Sequence, residues 1–228
     1  MISTKEISSK PIIDISVIKK VVVADEHYAS LVLSRLQKRG VLKKITRNKY
    51  TAIECMPVIA TELYVPCYLS FWSASQYYGY TEQIVNLFQV VVTRRRKAIS
   101  FENYKIKFIV LPKRYFFGFT KQETREGFVF IAEPEKLVID ALLRPHELGN
   151  FDEIINIVKN APLDIEKLTE YLFATKNISV MKRCGFLIEE YKQIDLSQKL
   201  KIKDKNYISL NPFTKNAKKT IPKWRLKI

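Results

Sequence analysis

The stretch HYASLVLSRLQKRGVLKKITRNKY, residues 27–50, decides how the first part of this chain is read. Ala29, Val32, Leu33 and Leu36 recur at three- and four-residue steps, which puts their side chains on one face of an α-helix. The opposite face carries His27, Ser30, Leu31, Ser34, Arg35 and Lys38, most of them hydrogen-bond donors. Asp25 stands where an N-cap belongs and Gly40 where a helix stops. Beyond Gly40, the spacing returns Val41, Leu42 and Ile45 to a core. Lys43, Lys44, Arg47 and Lys49 then project around a turn near Arg47 and Asn48.

Upstream, the apolar segment from Ile12 to Val23 supplies a shorter helix before the longer one. A short helix, a turn, a second helix and a basic two-stranded hairpin are the parts of a winged helix-turn-helix, whose second helix presents polar side chains to base edges in the major groove. Leu31, apolar at the centre of the polar face, suits a thymine methyl group or packing on a neighbouring chain or loop. The competing reading, an amphipathic helix with a solvated charged rim, stays open at this point.

Charge supports a polyanion. The chain has 39 Lys and Arg against 23 Asp and Glu, a net of +16. Residues 1–50 hold 11 basic and 4 acidic residues, a net of +7; residues 51–195 balance at 18 and 18; residues 196–228 hold 10 and 1, a net of +9. A neutral middle between two basic segments implies localised surfaces, with affinity that falls steeply as salt rises. A membrane surface is the competing polyanion, but no basic segment has the long amphipathic helix that interfacial binding wants.

Length and composition bound the rest. A chain of 228 residues, 47% of them hydrophobic, can bury a core and accommodate one small and one medium domain. Cys55, Cys67 and Cys184 form neither a CxxC nor a close pair, so buried reduced thiols are expected rather than a disulfide framework or a zinc site. The opening MISTKEISSKPIID lacks the apolar run of a signal peptide, and nothing approaches the ~20 apolar residues of a membrane span. A cytoplasmic location is expected.

After Thr51 the pattern changes. Pro57 and Pro66 bracket MPVIATELYVP, which has lost helical period and reads as a connection. The expected domains are 1–56 and 57–228. In the second, Ser70 to Tyr78 reads as a helix ended by Gly79, with Phe71, Trp72, Tyr77 and Tyr78 as core aromatics. LFQVVVT (87–93), YKIKFIVL (104–111) and two strands within 114–132, joined at Glu126 and Gly127, predict a mainly antiparallel sheet of about four strands. Helices follow at AEPEKLVIDALLRP, opened by Pro134, and at FDEIINIVKNA, LDIEKLTEYLFA and ISVMKRCGFLIEEY. The tail adds two short extended pieces, KIKDKNYISL and KWRLKI. Strands followed by helices predict an α+β fold: an N-terminal winged helix-turn-helix followed by an α+β domain.

Taken together, YLSFWSASQYYGYTEQ, VVTRRRKAISFENYKIKFIVL, FFGF, IAEPEKLVIDALLRP and the closing KWRLKI resemble the AbiEi-type antitoxins of type IV toxin–antitoxin and abortive-infection systems. The resemblance covers most of the chain. Its more specific part is TRRR after a strand, followed about forty residues later by the EPEK helix. It implies a winged-helix domain that represses its own operon and a C-terminal domain that counters a nucleotidyltransferase toxin without forming a tight complex with it.

The residues expected to bind double-stranded DNA, the chain's own operator, are His27, Tyr28, Ser30, Ser34, Arg35 and Lys38 on the helix. Lys43, Lys44, Arg47 and Lys49 are the expected phosphate contacts on the hairpin. Arg35 is the choice for a base, since a guanidinium can address guanine bidentately for ~1–3 kcal/mol of discrimination. The run Arg94, Arg95, Arg96, Lys97 reads as a solvated rim, a second nucleic-acid surface, or the antitoxin surface that the resemblance suggests. Glu133, Glu135, Lys136 and Asp140 raise the alternative of a Mg-dependent nuclease. Against it, Glu133 and Glu135 flank a helix start, where carboxylates meet the dipole, and Lys136 and Asp140 have the spacing of a surface ion pair. No phosphate-binding glycine motif or HExxH occurs, and His27 and His146 are the only histidines. The expectation is a non-enzymatic regulator, monomer or dimer, with no cofactor or metal; a plain transcriptional regulator without a toxin partner and a purely structural protein remain as alternatives.

Overall fold

The computed structural model describes residue 7 and residues 10–83, 86–214 and 219–228. The reading of the extreme N-terminus and the part of the basic tail over 215–218 lie outside the described residues. The fold is α+β. The chain divides into two compact units, each assembled from separated segments. One holds the chain up to Leu69, with Asn86–Val110 and Lys121–Ile131; the other holds Ser70–Val85, Leu111–Thr120 and Ala132–Ile228.

The first unit opens with α1 (Ile15–Val22), capped by Asp14, whose Oδ1 accepts from the backbone N–H groups of Ser16 and Val17 at 2.9 and 3.0 Å. Such caps satisfy donors that the first helical turn leaves without partners. Helix α2 (Glu26–Lys38) starts as expected, with the Asp25 carboxylate accepting from the Tyr28 N–H at 2.8 Å. Gly40 then takes the left-handed conformation, φ +71°, in which its N–H reaches the Gln37 carbonyl. Strands β1 (Lys43–Thr46) and β2 (Lys49–Thr51) form an antiparallel hairpin, with Asn48 at φ 60° in the turn. Ile13 and Tyr50 exchange backbone hydrogen bonds at 2.8 Å, a further rung beside the hairpin. Ile7, Ile13, Ile18, Ala29, Val32, Leu33 and Leu42 make one buried cluster, so the two helices and the hairpin share a core of their own.

Residues 56–62, expected to be part of a connection, form helix α3 (Met56–Glu62). Pro57 sits in its first turn, where a fixed φ and a missing N–H cost nothing. Met56, Val58, Ile59, Ala60 and Thr61 are all buried, so the segment shows no one-sided period to read. The Glu126 carboxylate accepts from the N–H groups of Glu54 and Cys55 just ahead of it, at 2.9 and 2.7 Å.

The sheet has six strands rather than about four, and it contains both antiparallel and parallel pairs. They are β3 (Cys67–Leu69), β4 (Leu87–Val92), β5 (Ile99–Phe101), β6 (Tyr104–Val110), β7 (Phe119–Thr124) and β8 (Gly127–Ala132), in the spatial order β5-β6-β4-β3-β8-β7. The extra strands, β3 and β5, are three residues each, too short to show alternation. β5 pairs antiparallel with β6, which returns β6 alongside β4 in parallel; β3 likewise lies antiparallel to β4 and parallel to β8.

The second unit is mainly helical. Helix α4 (Phe71–Tyr77) follows Ser70 and ends at Gly79, φ +72°. Helix α5 (Pro134–Leu143) is followed by α6 (Phe151–Asn160), α7 (Ile165–Thr175) and α8 (Ile178–Lys192), the last three capped by Asn150, Asp164 and Asn177. Helix α5 packs against α4, α6, α7 and α8, and every residue from Glu135 to Leu142 is buried. The Lys136–Asp140 pair, expected at a surface, is therefore fully buried: no face of α5 is left for solvent. The chain closes through α9 (Ser197–Leu200) and a three-stranded sheet of β9 (Ile208–Ser209), β10 (Thr220–Ile221) and β11 (Leu226–Lys227), in the order β10-β11-β9. Trp224 packs against Gly185 of α8, where a Cβ would stand 2.2 Å from the indole ring.

Candidate nucleic-acid interface

At about 100° per residue, His27, Tyr28, Ser30, Leu31, Ser34, Arg35 and Lys38 fall within an arc of about 160° on α2, opposite the buried Ala29, Val32 and Leu33. All seven are exposed. Among the described residues none of the six polar ones forms a side-chain ion pair, so their donors face solvent. Leu31 is the one apolar side chain exposed on this otherwise polar stripe, beside the exposed ring of Tyr28. The stripe exists because the core cluster consumes the other face, and the Asp25 cap and the Gly40 stop fix its ends.

The hairpin divides its cations between two uses. Lys44 and Arg47 are exposed. Lys43, though exposed, holds its ammonium 2.8 Å from Glu102 and 3.4 Å from Glu54, and these hydrogen bonds raise its pKa above the ordinary lysine value. Its charge is already compensated, which makes it a strut between β1 and the β5–β6 turn more than a phosphate contact. Lys49 is half-buried, its ammonium 5.3 Å from the centroid of the Tyr64 ring.

Tyr64 joins two parts that the sequence left separate. The Arg96 guanidinium lies 4.5 Å from the centroid of the same ring, and the ring meets Phe108 edge-on at 5.2 Å. Cation–π contacts of this kind contribute about 0.5–1 kcal/mol each at exposed sites. β1 also packs beside β5. The Arg94–Lys97 run, exposed in the loop between β4 and β5, is thereby held next to the hairpin within one unit. No local pattern marked Tyr64; it stands alone between two prolines, and only the tertiary contacts give it a role.

The carboxylates considered for a nuclease are engaged elsewhere. Glu133 accepts from the Tyr171 hydroxyl and pairs with Lys167 at 3.1 Å, and the phenol pKa rises, chiefly through burial and then through that bond. Glu135 accepts from the Asp164 N–H at 2.8 Å. Asp140 pairs with Lys136 through one oxygen and accepts from the Ser70 hydroxyl at 2.9 Å through the other. These bonds tie α5 to α4 and α7. Among the described residues no group of three His, Cys, Asp or Glu side chains is placed to hold a metal ion. Cys67 and Cys184 are buried free thiols, each pushed up to about 12 by burial, while Cys55 is partly exposed. No helix among the described residues is long and apolar enough to cross a membrane.

The chain matches no protein-family model and no curated protein. The reading of its function rests on the geometry above and on the sequence.

Proposed function

We propose that this chain is a DNA-binding transcriptional autoregulator and antitoxin of the AbiEi type, with α1, α2 and the β1–β2 hairpin acting as a winged helix-turn-helix. The observation that carries the reading is the solvent-facing polar stripe of α2 beside a hairpin and an arginine loop joined through Tyr64. In this reading α2 enters the major groove, where Arg35 addresses a base and Leu31 a thymine methyl. Lys44 and Arg47, with Arg94, Arg95 and Lys97, follow the phosphates; Lys49 and Arg96 hold the two groups together. The protein works in the cytoplasm, is not an enzyme and needs no cofactor. The antitoxin role, against a nucleotidyltransferase toxin and without a tight complex, rests on the sequence resemblance.

A gel-shift titration of wild type, Arg35→Ala and Tyr64→Leu against the DNA upstream of the chain's own gene tests this. Arg35→Ala is expected to relax discrimination between operator and unrelated DNA by roughly tenfold or more, the equivalent of ~1–3 kcal/mol. Tyr64→Leu is expected to weaken binding to both DNAs by a few-fold while leaving their ratio unchanged. Equal affinity of wild type for both DNAs would overturn the reading; rescue of cells from a neighbouring toxin then tests the antitoxin role.

A further inference from the structure

We infer that the C-terminal segment of the second unit is a built surface for the phosphodiester backbone of nucleic acid, indifferent to sequence and separate from the α2 interface. Three observations carry this.

First, the described residues of the segment are held in place rather than trailing. Leu200, Trp224 and Leu226 are buried. The buried Lys182 ammonium binds the Asp204 carboxylate at 2.6 Å and also donates to the Asn206 carbonyl. Arg183 donates to the Ser209 carbonyl at 3.1 Å. The Glu189 carboxylate takes both Lys223 and the Trp224 indole N–H, and Lys223 also reaches Asp195 at 2.9 Å.

Second, those bonds engage Asp204, Glu189 and Asp195 with cations other than the exposed lysines. Asp204, the only acidic residue from 196 to 228, pairs with Lys182 from the helix beneath it, and Lys223 bridges Glu189 and Asp195, one cation between two carboxylates. Lys199, Lys201, Lys203, Lys205, Lys219 and Lys227 are all exposed and have no carboxylate partner among the described residues. The first four occupy alternate positions, separated by Leu200, Ile202 and Asp204, each of which is buried or half-buried. Like charges displayed on a fixed backbone repel one another and oppose folding; a polyanion relieves that repulsion and releases its own counterions.

Third, the segment fixes a further cation against an aromatic ring and turns most of its large apolar side chains inward. The Arg225 guanidinium lies 5.7 Å from the ring of the half-buried Tyr207, which holds one more cation in place beside the lysines. A membrane-surface segment turns its large apolar side chains outward, whereas Leu200, Trp224 and Leu226 are spent on the core, and Ile228 is the one exposed large hydrophobic among the segment's described residues. Nucleic acid is the polyanion that this surface fits.

The test uses the full-length chain and a short labelled duplex of unrelated sequence, with affinity measured by fluorescence anisotropy across a salt series. Wild type is compared with the quadruple variant Lys199→Gln, Lys201→Gln, Lys203→Gln and Lys205→Gln, and with Lys203→Glu/Lys205→Glu. All of these positions are exposed, and unchanged thermal melts confirm folding. For the quadruple variant, the slope of log affinity against log salt is expected to shrink by about 0.9 for each phosphate that is no longer neutralised, and affinity at low salt to fall roughly tenfold or more. The charge-reversal pair is expected to fall comparably with half the substitutions. The ratio of operator to unrelated binding stays as in wild type, so failure of the α2 reading, which shows as no ratio at all, is distinguishable. Slopes and affinities unchanged in both variants overturn the inference. So does a loss confined to vesicles of anionic lipid or to an acidic polypeptide, with duplex binding intact.

Discussion

Lys136 and Asp140 show how much a single spacing leaves undetermined. Four residues apart on a helix, they are equally compatible with an exposed pair contributing a few tenths of a kcal/mol and with a buried one. Here both are buried, and Asp140 also accepts from Ser70. Asp140→Ala removes the carboxylate that balances a desolvated ammonium and deprives a buried hydroxyl of its acceptor. The expected loss is about 3–5 kcal/mol, read from chemical denaturation. The double variant Lys136→Met/Asp140→Leu, which removes both charges at similar volume, should recover most of it. An Asp140→Ala cost below about 1 kcal/mol, the range of exposed pairs, would show that water reaches the site.

At the scale of elements, α8 and the closing sheet depend on a residue with no side chain. Gly185 in mid-helix lowers intrinsic helix propensity, and replacing it by alanine in an exposed helix would contribute about 1 kcal/mol. Here the added Cβ would lie 2.2 Å from one Trp224 ring atom and 2.3 Å from another, and overpacking of that kind costs about 1–3 kcal/mol. The steric term is the larger. Gly185→Ala is therefore expected to lower the melting temperature and to shift Trp224 emission toward that of a solvated indole. A rise in melting temperature with unchanged emission would mean that the tail re-seats without cost. The same scale explains α3: its helical period was invisible because nearly all of its side chains are buried, so the pattern that normally announces a helix was absent.

For the whole molecule, the partition of charge governs the response to acid as well as to salt. Hydrogen bonds from Lys223, and then from Ser197, hold the Asp195 carboxyl down at about 2; Lys182 and then the Asn206 N–H lower that of Asp204. An unfolded aspartate titrates at about 3.9. Because the folded values lie below it, these interactions contribute fully above pH ~4, and the contribution disappears as pH falls toward 2. Their protonation also leaves Lys182 and Lys223 without the carboxylates that balance them, which adds repulsion in the same direction. Trp224 fluorescence, followed in a Trp72→Phe background, should report loosening of the closing sheet between pH ~4 and ~2, at lower pH when Asp195 and Asp204 are intact than in Asp195→Asn. A midpoint indifferent to that substitution would remove Asp195 from the account.

Patterns that repeat within a few residues were legible in the sequence alone: the amphipathic α2 between its Asp25 cap and Gly40, the basic hairpin turn, the strands with six or seven alternating or β-branched residues, the four helices after Pro134, and the concentration of positive charge at both ends. Each is set by local sterics, capping or composition, so neighbours in the chain suffice to determine it. Tertiary structure alone decided the rest. It inserted the three-residue strands β3 and β5, made the sheet mixed, buried Lys136 with Asp140, brought the Arg94–Lys97 loop to the hairpin through Tyr64, and consumed Asp204 so that the C-terminal lysines stand uncompensated. Those outcomes depend on which distant residues share a boundary and on what each loses when water is excluded, and neither is written in the spacing along the chain.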